Sequence, residues 1–230
     1  PAIIVIILAI AIKQMYKVNT LIRRLPAAET LGRATVICTD KTGTLTEEEL
    51  NVDKIYSGKL ANIKDLKLDK NFKQIFKIGI LCNNARDETD KILGDPIETA
   101  LIRAAKKFGF DKKKETEKNV KIKEYVFSSE RKMMSIIREN KGIKISYVKG
   151  APGLILSLCK KEFINGKVKL LTEERRKELR RIFRKMEGGG LRVLSFAFKP
   201  VLKINQESAE RDLIFSGFMG MIDPPRKEVK

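Results

Sequence analysis

The 230-residue sequence contains no histidine. The chain therefore cannot form a Ser-His-Asp triad, a histidine-ligated zinc site or a histidine general base from its own residues. Its three cysteines, Cys38, Cys82 and Cys159, are far apart and include no CxxC pair. A disulfide framework or a cysteine zinc site is not expected, and a reducing compartment fits better. Fixed-period repeats, a twin-glycine dinucleotide fingerprint and a Walker A loop are also missing.

Positive charge is in excess: 48 lysines and arginines against 29 acidic residues give a net charge of +19. With 43% hydrophobic residues the chain can still bury a core, so global disorder is not expected. The charge is compatible with nucleic acid, an anionic membrane face or a phosphorylated ligand. The basic residues alternate with glutamates and no RNA-binding or zinc-finger pattern accompanies them, so nucleic acid is not expected as a partner.

The sequence opens with an uncharged apolar run, PAIIVIILAIAI, from Pro1 to Ile12. As a helix this run is roughly 18 Å long, too short to cross the hydrocarbon core of about 30 Å by itself. It predicts either a buried core helix or the cytoplasmic half of a transmembrane helix. Lys13, Lys17, Arg23 and Arg24 follow it, and such a basic segment is typical of a cytoplasmic membrane exit. We expect the second alternative.

A candidate chemical site follows a short apolar run. Residues Ala34 to Thr39, ATVICT, predict a buried strand that ends at Asp40. Open α/β sheets place their chemistry at the carboxyl ends of such strands. The next residues, Lys41 to Thr46, read KTGTLT and predict a turn.

The residue types in this turn suit phosphoryl transfer. The Asp40 carboxylate can attack a phosphorus atom to form an acyl phosphate. Lys41 supplies positive charge beside it, and Gly43 lets the backbone approach a ligand closely. Thr42 and Thr44 can hold phosphate oxygens through their hydroxyl and N–H groups.

From about Asn51 the pattern predicts a mainly antiparallel α+β region. One helix begins at Asp95-Pro96, with Glu98 in a capping-box position, and another follows Thr172. Strands are predicted at 120–127, 133–138, 143–148, 191–198 and 213–222.

The segment DKTGTLT, Asp40 to Thr46, resembles the phosphorylation loop of P-type cation-transporting ATPases, which belong to the haloacid-dehalogenase superfamily. The flanking residues from Leu21 are similar to those of the Ca²⁺-ATPase-like branch, and Pro1 resembles the last proline of the unwound turn in its fourth transmembrane helix. Further similar motifs follow in the family's order. They are GDPIETAL at 94–101, FSSERK at 127–132, KGAP at 149–152, GLRVLSFA at 190–197 and DPPR at 223–226.

The resemblance implies a fold and a domain organisation. It implies a partial Rossmann-like phosphorylation domain interrupted by a nucleotide-binding domain with a mainly antiparallel sheet flanked by helices. The implied segments are the cytoplasmic half of a transmembrane helix at 1–16, a stalk at 17–33, the first part of the phosphorylation domain at 34–50, the nucleotide-binding domain at 51–216, and the hinge and return into the phosphorylation domain at 217–230.

The resemblance also implies roles for individual residues. Asp40, Lys41, Thr42 and Thr44 would be catalytic, with Mg²⁺ held by the Asp40 carboxylate and the Thr42 backbone carbonyl. The implied nucleotide-binding residues are Glu98, Phe127, Lys132, Lys149, Gly150, Arg192, Asp223 and Arg226. Phe127 would stack on adenine, Glu98 would lie near the adenine amino group, and Arg192 would pair with a phosphate.

Three positions depart from the family pattern, and one of them is Gly153, which follows KGAP where glutamate is usual. Ser129 stands where many relatives carry arginine, which removes one bidentate phosphate contact, and Arg131 can replace that contact only if strand alternation directs it to the nucleotide. Ile97 stands where threonine is common, which removes a hydroxyl group near the nucleotide.

These observations lead to the expectation of a fragment of an ATP-driven cation pump that forms an aspartyl phosphate at Asp40 in the intact protein. ATP, Mg²⁺, a transported cation (Ca²⁺ preferred), the lipid bilayer and the remaining pump domains are the expected partners. The parent would be a multi-pass membrane protein with this region mostly cytoplasmic. We expect the chain by itself to bind ATP without hydrolysing it.

Two alternatives remain. A soluble haloacid-dehalogenase-type phosphatase is disfavoured, because Thr42 stands where such enzymes place an acid/base aspartate. A nucleotide-binding module without catalysis is the other.

Overall fold

A computed structural model of the chain describes residues 2–47, 49–88 and 91–229. Pro1, the first residue of the predicted membrane helix, lies outside the described residues. The chain divides into two compact units, Pro1–Leu45 and Thr46–Lys230.

The first unit is helical. Helix α1 spans Ala2–Lys17, helix α2 spans Leu25–Arg33, and a single π-helical turn covers Lys41–Leu45. The helix predicted for the apolar run is therefore present, but α1 has no buried residue and five of its six isoleucines are exposed. In the part of the chain that the structure describes, no helix combines the length and the apolar character needed to cross a membrane.

The strand predicted at Ala34–Thr39 is wrong for this chain. These residues form no strand, and all of them are exposed. A strand requires a neighbour that accepts and donates its backbone hydrogen bonds. Among the described residues no strand pairs with this segment, so its β-branched composition has no sheet to join.

The second unit is a sheet with helices. Its strands are β1 Asn51–Tyr56, β2 Leu60–Asn62, β3 Arg86–Asp87, β4 Ile92–Leu93, β5 Val120–Ser128, β6 Met133–Asn140, β7 Ile143–Gly150, β8 Cys159–Ile164, β9 Lys167–Leu170, β10 Arg192–Pro200 and β11 Leu213–Ile222. Its helices are α3 Lys70–Leu81, α4 Pro96–Lys106, α5 Lys112–Lys118, α6 Pro152–Leu158, α7 Glu173–Gly188 and α8 Gln206–Glu210. Short 3₁₀ turns cover Ile63–Asp65 and Lys227–Val229.

The main sheet runs in the order β2-β1-β11-β10-β7-β6-β5, and every neighbouring pair in this order is antiparallel. Strand β8 pairs in parallel with the first part of β11, and β9 pairs with β8. Strands β3 and β4 form a separate hairpin. The predicted antiparallel sheet flanked by helices is therefore confirmed, and the five predicted strands correspond to β5, β6, β7, β10 and β11.

Helices cover both faces of this sheet. Along β11, Met219 belongs to the core formed with α3 and α4, whereas Phe218 belongs to the core formed with α6 and α7. Successive side chains of a strand point to opposite faces, so one central strand contributes to both cores. The predicted starts of α4 and α7 are also confirmed: Asp95 caps α4 and Thr172 caps α7 through their side chains.

A close backbone contact in the sheet requires glycine at position 217. Gly217 has φ +155° and lies at a β-bulge opposite Phe196. A methyl group there would lie 2.2 Å from the backbone oxygen of Tyr56 in the neighbouring strand β1. A methyl group at position 217 would fit only if β1 moved away from β11.

We therefore expect Gly217→Ala to lower the free energy of unfolding by at least about 2 kcal/mol in urea denaturation, through backbone strain and steric overlap. The matched control is Gly188→Ala at the end of α7, where a methyl group would meet no atom within 4 Å. This control should be neutral or stabilising by up to about 1 kcal/mol. Equal stabilities of the two variants would contradict the requirement for glycine at position 217.

Candidate functional site

The second unit contains a cleft of about 630 Å³, a volume typical of small-molecule sites. It lies where α4 begins, β5 and β7 end, and β10 begins. Its larger apolar lining residues are Ile97, Val126, Phe127, Met134, Leu191, Val193 and Leu194.

A β-bulge at the end of β5 brings two consecutive apolar residues to this cleft. Tyr125 pairs with Ser135 and Ser128 pairs with Met133, so β5 has one more residue than β6 over this interval. In a regular strand Val126 and Phe127 would point to opposite faces, whereas a bulge re-aims the side chains. Both line the cleft, with 64% and 60% of their surfaces exposed. The Phe127 ring is thus available to stack against a flat ligand.

An ion pair lies at the cleft between α4 and β7. The Lys149 ammonium is 2.6 Å from a Glu98 carboxylate oxygen, and the two side chains are only 8% and 12% exposed. The second Glu98 oxygen accepts a hydrogen bond from the backbone N–H of Asn84 at 3.0 Å. Each charge compensates the other, because a charged group buried alone would carry a large desolvation penalty.

The capping-box role predicted for Glu98 is wrong. The N-cap residue Asp95 accepts a hydrogen bond from the N–H of Ile97, but the Glu98 carboxylate bonds to Lys149 and Asn84 instead of returning to Asp95. A buried ammonium group competes more strongly for this carboxylate than a solvated backbone N–H does.

Gly150 allows the end of β7 to approach the turn between β5 and β6. A methyl group at this position would lie 2.7 Å from the backbone oxygen of Lys132 and from the Cβ atom of Met133. Lys132 adopts φ +50°, and its carbonyl accepts a hydrogen bond from the N–H of Ala151 at 2.9 Å. Packing alone therefore accounts for glycine here.

Two exposed cations line the same cleft. Lys132 and Arg192 are exposed, and neither has an ion-pair partner among the described residues. Their charges are available to an anionic ligand, and a guanidinium group can bind phosphate through two parallel hydrogen bonds.

The cleft also has an acidic side chain that we did not predict, Glu124. Burial acts to raise its pKa, but hydrogen bonds from Lys121 and from the Asn84 amide outweigh burial and lower the pKa. The carboxylate is thus ionised and fixed beside Asn84. The one-residue bulge after Tyr125 interrupts the alternation from which its position could have been predicted. Glu187 at the end of α7 is a further unpredicted lining residue.

The structure gathers six of the eight predicted nucleotide-binding residues around this cleft: Glu98, Phe127, Lys132, Lys149, Gly150 and Arg192. Asp223 and Arg226 do not line it. The Asp223 carboxylate accepts a hydrogen bond from the Thr46 hydroxyl at 2.5 Å, and the Arg226 guanidinium donates to the Thr46 carbonyl at 3.0 Å. They join the chain segments that lead into and out of the sheet.

The proposed replacement of an arginine contact by Arg131 is not realised. The Arg131 side chain lines a different cleft and forms an ion pair with Glu210. Arg131 lies in the turn that follows β5. The direction of its side chain therefore could not be derived from the alternation of residues along a strand.

The predicted catalytic residues lie in the first unit. Asp40 is exposed, and one of its carboxylate oxygens accepts a hydrogen bond from the Lys41 N–H at 2.7 Å. Thr44 is also exposed, while the Thr42 side chain lies outside the described part of the chain. Across the described residues, no three acidic, thiol or imidazole groups come together in a way that could hold a metal ion.

The sequence of residues 71–228 matches the family model described as "P-type ATPase, cytoplasmic domain N". The chain belongs to the P-type ATPase family. The matched region contains every residue that lines the cleft. The predicted family membership is thus confirmed.

Several curated P-type ATPases are similar to this chain. "Calcium-transporting ATPase 1" of Bacillus cereus is 40% identical over 234 residues, which cover 100% of this chain and 26% of that protein. "Calcium-transporting ATPase" of Bacillus subtilis is 35% identical over 256 residues, covering 100% of this chain and 29% of that protein. "Calcium-transporting ATPase 1" of Lactococcus lactis is 36% identical and is covered to 26%. The chain thus spans about a quarter of the length of these relatives.

Lys112 on α5 supports the loop that carries Asn84. Its ammonium donates to the backbone oxygen of Asn83 at 3.0 Å, to the Asn83 side-chain oxygen at 3.1 Å, and to the backbone oxygen of Ala85. Burial lowers the pKa of Lys112 from 10.5 to about 8; the nearby Glu98 opposes this shift, and Arg138 adds to it. Between these two values the unfolded chain binds more protons, so the contribution of Lys112 to folding stability rises with pH.

We expect competitive acetylation of the native protein to label Lys112 with half-maximal reactivity near pH 8. The control is the same residue in the urea-unfolded chain, where the midpoint should move to about 10.4. Peptide mass spectrometry resolves the two states. Identical midpoints in the folded and unfolded chains would contradict the burial of this amine.

Proposed function

We propose that this chain supplies the ATP-binding domain and the phosphorylated aspartate of an ATP-driven cation pump. The proposal rests on one observation: the cleft contains an exposed aromatic ring, Phe127, together with two cations, Lys132 and Arg192. Among the described residues, neither cation has an ion-pair partner. An aromatic ring and nearby positive charge are complementary to the two ends of a nucleotide.

In this proposal the base and the phosphates use different parts of the cleft. Adenine stacks on Phe127, and base–aromatic stacking contributes about 1–3 kcal/mol in nucleic-acid sites. The apolar side chains of Ile97 and Leu194 enclose the base, and the Lys149–Glu98 pair supplies a polar edge. Lys132 and Arg192 bind the phosphate oxygens by charge-assisted hydrogen bonds.

Asp40 is the proposed phosphate acceptor in the intact protein. Its carboxylate oxygen attacks the γ-phosphorus, the bond from phosphorus to the β-phosphate oxygen breaks, and ADP leaves with that electron pair. The product is an acyl phosphate on Asp40. The exposure of the Asp40 side chain supports the proposal, because the γ-phosphate of ATP must be able to reach this carboxylate.

Mg²⁺ fits the oxygen atoms near Asp40. Magnesium is usually held by one or two protein oxygens together with waters and substrate phosphates. The Asp40 carboxylate and the Thr42 backbone carbonyl would supply these two oxygens. When bound, the ion neutralises negative charge as the phosphate approaches the carboxylate.

The transported ion and the membrane complete the proposal. Three similar proteins are named as calcium-transporting ATPases, which supports Ca²⁺ as the transported cation. The exposed isoleucines of α1 support its contact with a lipid bilayer, beside further domains of the pump. The parent is proposed to be a multi-pass membrane protein with the sheet unit on the cytoplasmic side.

We expect Phe127→Ala to weaken ATP binding about 5- to 150-fold, the range that corresponds to the loss of one stacking contact. Isothermal titration of the purified chain with ATP measures this change. Leu170→Ala on β9 is the matched control, because this side chain is also apolar and exposed but does not line the cleft. An unchanged affinity in Phe127→Ala would reject the stacking role.

In the full-length protein, Asp40→Asn is expected to abolish acid-stable labelling by γ-labelled ATP, because an amide does not form the acyl phosphate. ATP binding should persist, since Asp40 does not line the cleft. Labelling that survives Asp40→Asn at the wild-type level would refute Asp40 as the acceptor.

A further inference from the structure

The bulge that presents Phe127 to the cleft is held by a side chain from the following turn. The extra residue of a bulge is left out of the ladder of the sheet. Here the Val126 carbonyl accepts a hydrogen bond from one terminal nitrogen of the Arg131 guanidinium. The Arg131 backbone N–H in turn bonds to the Ser128 hydroxyl at 3.2 Å. The turn from Ser128 to Lys132 and the bulge thus form one connected unit.

Glu210, the last residue of α8, fixes the other end of this guanidinium. One of its carboxylate oxygens lies 2.6 Å from the second terminal nitrogen of Arg131, and the two side chains are 10% and 26% exposed. The same oxygen accepts a hydrogen bond from the Ser135 hydroxyl at 2.8 Å, and the other accepts from the Gln206 amide at 3.1 Å. Glu210 is therefore anchored to β6 and to its own helix as well as to Arg131.

The Arg131–Glu210 pair lies outside the nucleotide cleft. Both residues line a second cleft of about 550 Å³, together with Met133 and Leu158. Neither of them lines the cleft that contains Phe127. An influence of this pair on the first cleft must therefore pass through the backbone of the bulge and the turn.

We propose that Arg131 and Glu210 are positioning residues for nucleotide binding, which act by holding the bulge that aims Phe127. A planar guanidinium can bond to the Val126 carbonyl and to Glu210 at the same time, in a fixed geometry. A lysine at position 131 keeps the charge but has one compact ammonium group, so it loses the rigid link. The proposal rests on the proposed ATP-binding function.

The chain offers a matched ion pair for comparison. Arg175 on α7 and Glu162 on β8 lie 3.1 Å apart with side chains 19% and 8% exposed, and Arg175 also donates to the Tyr56 hydroxyl at 2.9 Å. This pair has similar burial and a similar second hydrogen bond, but neither residue lines the nucleotide cleft. Arg175→Lys should therefore affect stability without affecting Phe127.

The first test is a double-mutant cycle read by ATP affinity. We expect Arg131→Lys and Glu210→Gln each to weaken ATP binding about three- to tenfold in the wild-type background, and less than about twofold once Phe127→Ala is present. Arg175→Lys should change the affinity less than about twofold in both backgrounds. Circular dichroism and urea unfolding establish that each variant is folded.

The proposal depends on the energetic coupling between the Arg131–Glu210 pair and Phe127. Losses of equal size with and without Phe127 would overturn the proposal, because the pair would then act independently of the ring. Wild-type affinity in both Arg131→Lys and Glu210→Gln would overturn it as well. If one of these variants does not fold, the other carries the cycle, since Glu210→Gln retains shape and hydrogen-bonding capacity.

A second test needs no ligand. The sequence contains no tryptophan, so Phe127→Trp introduces a single indole at the bulge, which can be excited selectively over the four tyrosines. Adding Arg131→Lys to this variant should lower the fluorescence anisotropy and increase acrylamide quenching of the indole, whereas adding Arg175→Lys should change neither. An unchanged signal with Arg131→Lys would reject the positioning role. Absence of ATP binding by the wild-type chain would reject the proposed function, while this fluorescence result would still report on the positioning of residue 127.

Discussion

The hydrogen-bonding of β11 is the constraint on which the second unit depends. This strand is buried over nearly its whole length, and it pairs with β1, β10 and β8. Its alternating side chains enter both hydrophobic cores, so neither helical layer can pack until β11 is in register. A shift of one residue would exchange Phe218 and Met219 between the two cores. The register of one strand therefore determines how the rest of the sheet is assembled.

The cleft depends on this sheet without being part of its core. It forms where β5, the last strand in the order of the main sheet, departs from regular pairing and where β7 ends beside α4. The packed core supplies rigid positions, and the irregular strand ends supply exposed groups. The buried Lys149–Glu98 pair connects these two regions, because Lys149 belongs to the sheet and Glu98 to a helix that packs on it. A ligand in the cleft would thus contact elements whose relative placement is already determined by folding.

Much of this architecture could be predicted from local sequence signals. Capping residues identified the starts of α4 and α7, and periodic apolar residues identified β5, β6, β7, β10 and β11. The six predicted nucleotide-binding residues that line the cleft could be predicted only through motif resemblance, since most of them taken singly look like ordinary surface charges or core residues.

Features that depend on distant partners could not be predicted in this way. Glu98 pairs with Lys149, 51 positions away, so a local capping rule assigned it the wrong contact. The bulge at Val126 and Phe127 depends on the register between two strands, and periodicity within one strand does not reveal it. Residues 34–39 show the opposite error: their composition favours a strand, but strand formation depends on a neighbour.

The contacts around Thr46 have a topological consequence. Thr46 pairs with Pro225 in an isolated bridge, and the N–H of Glu47 bonds to the carbonyl of Pro224 at 3.0 Å. The chain thus enters and leaves the sheet unit at one point. A module with adjoining termini can be inserted into a host protein as a closed loop, because the host segments on either side need to span almost no distance.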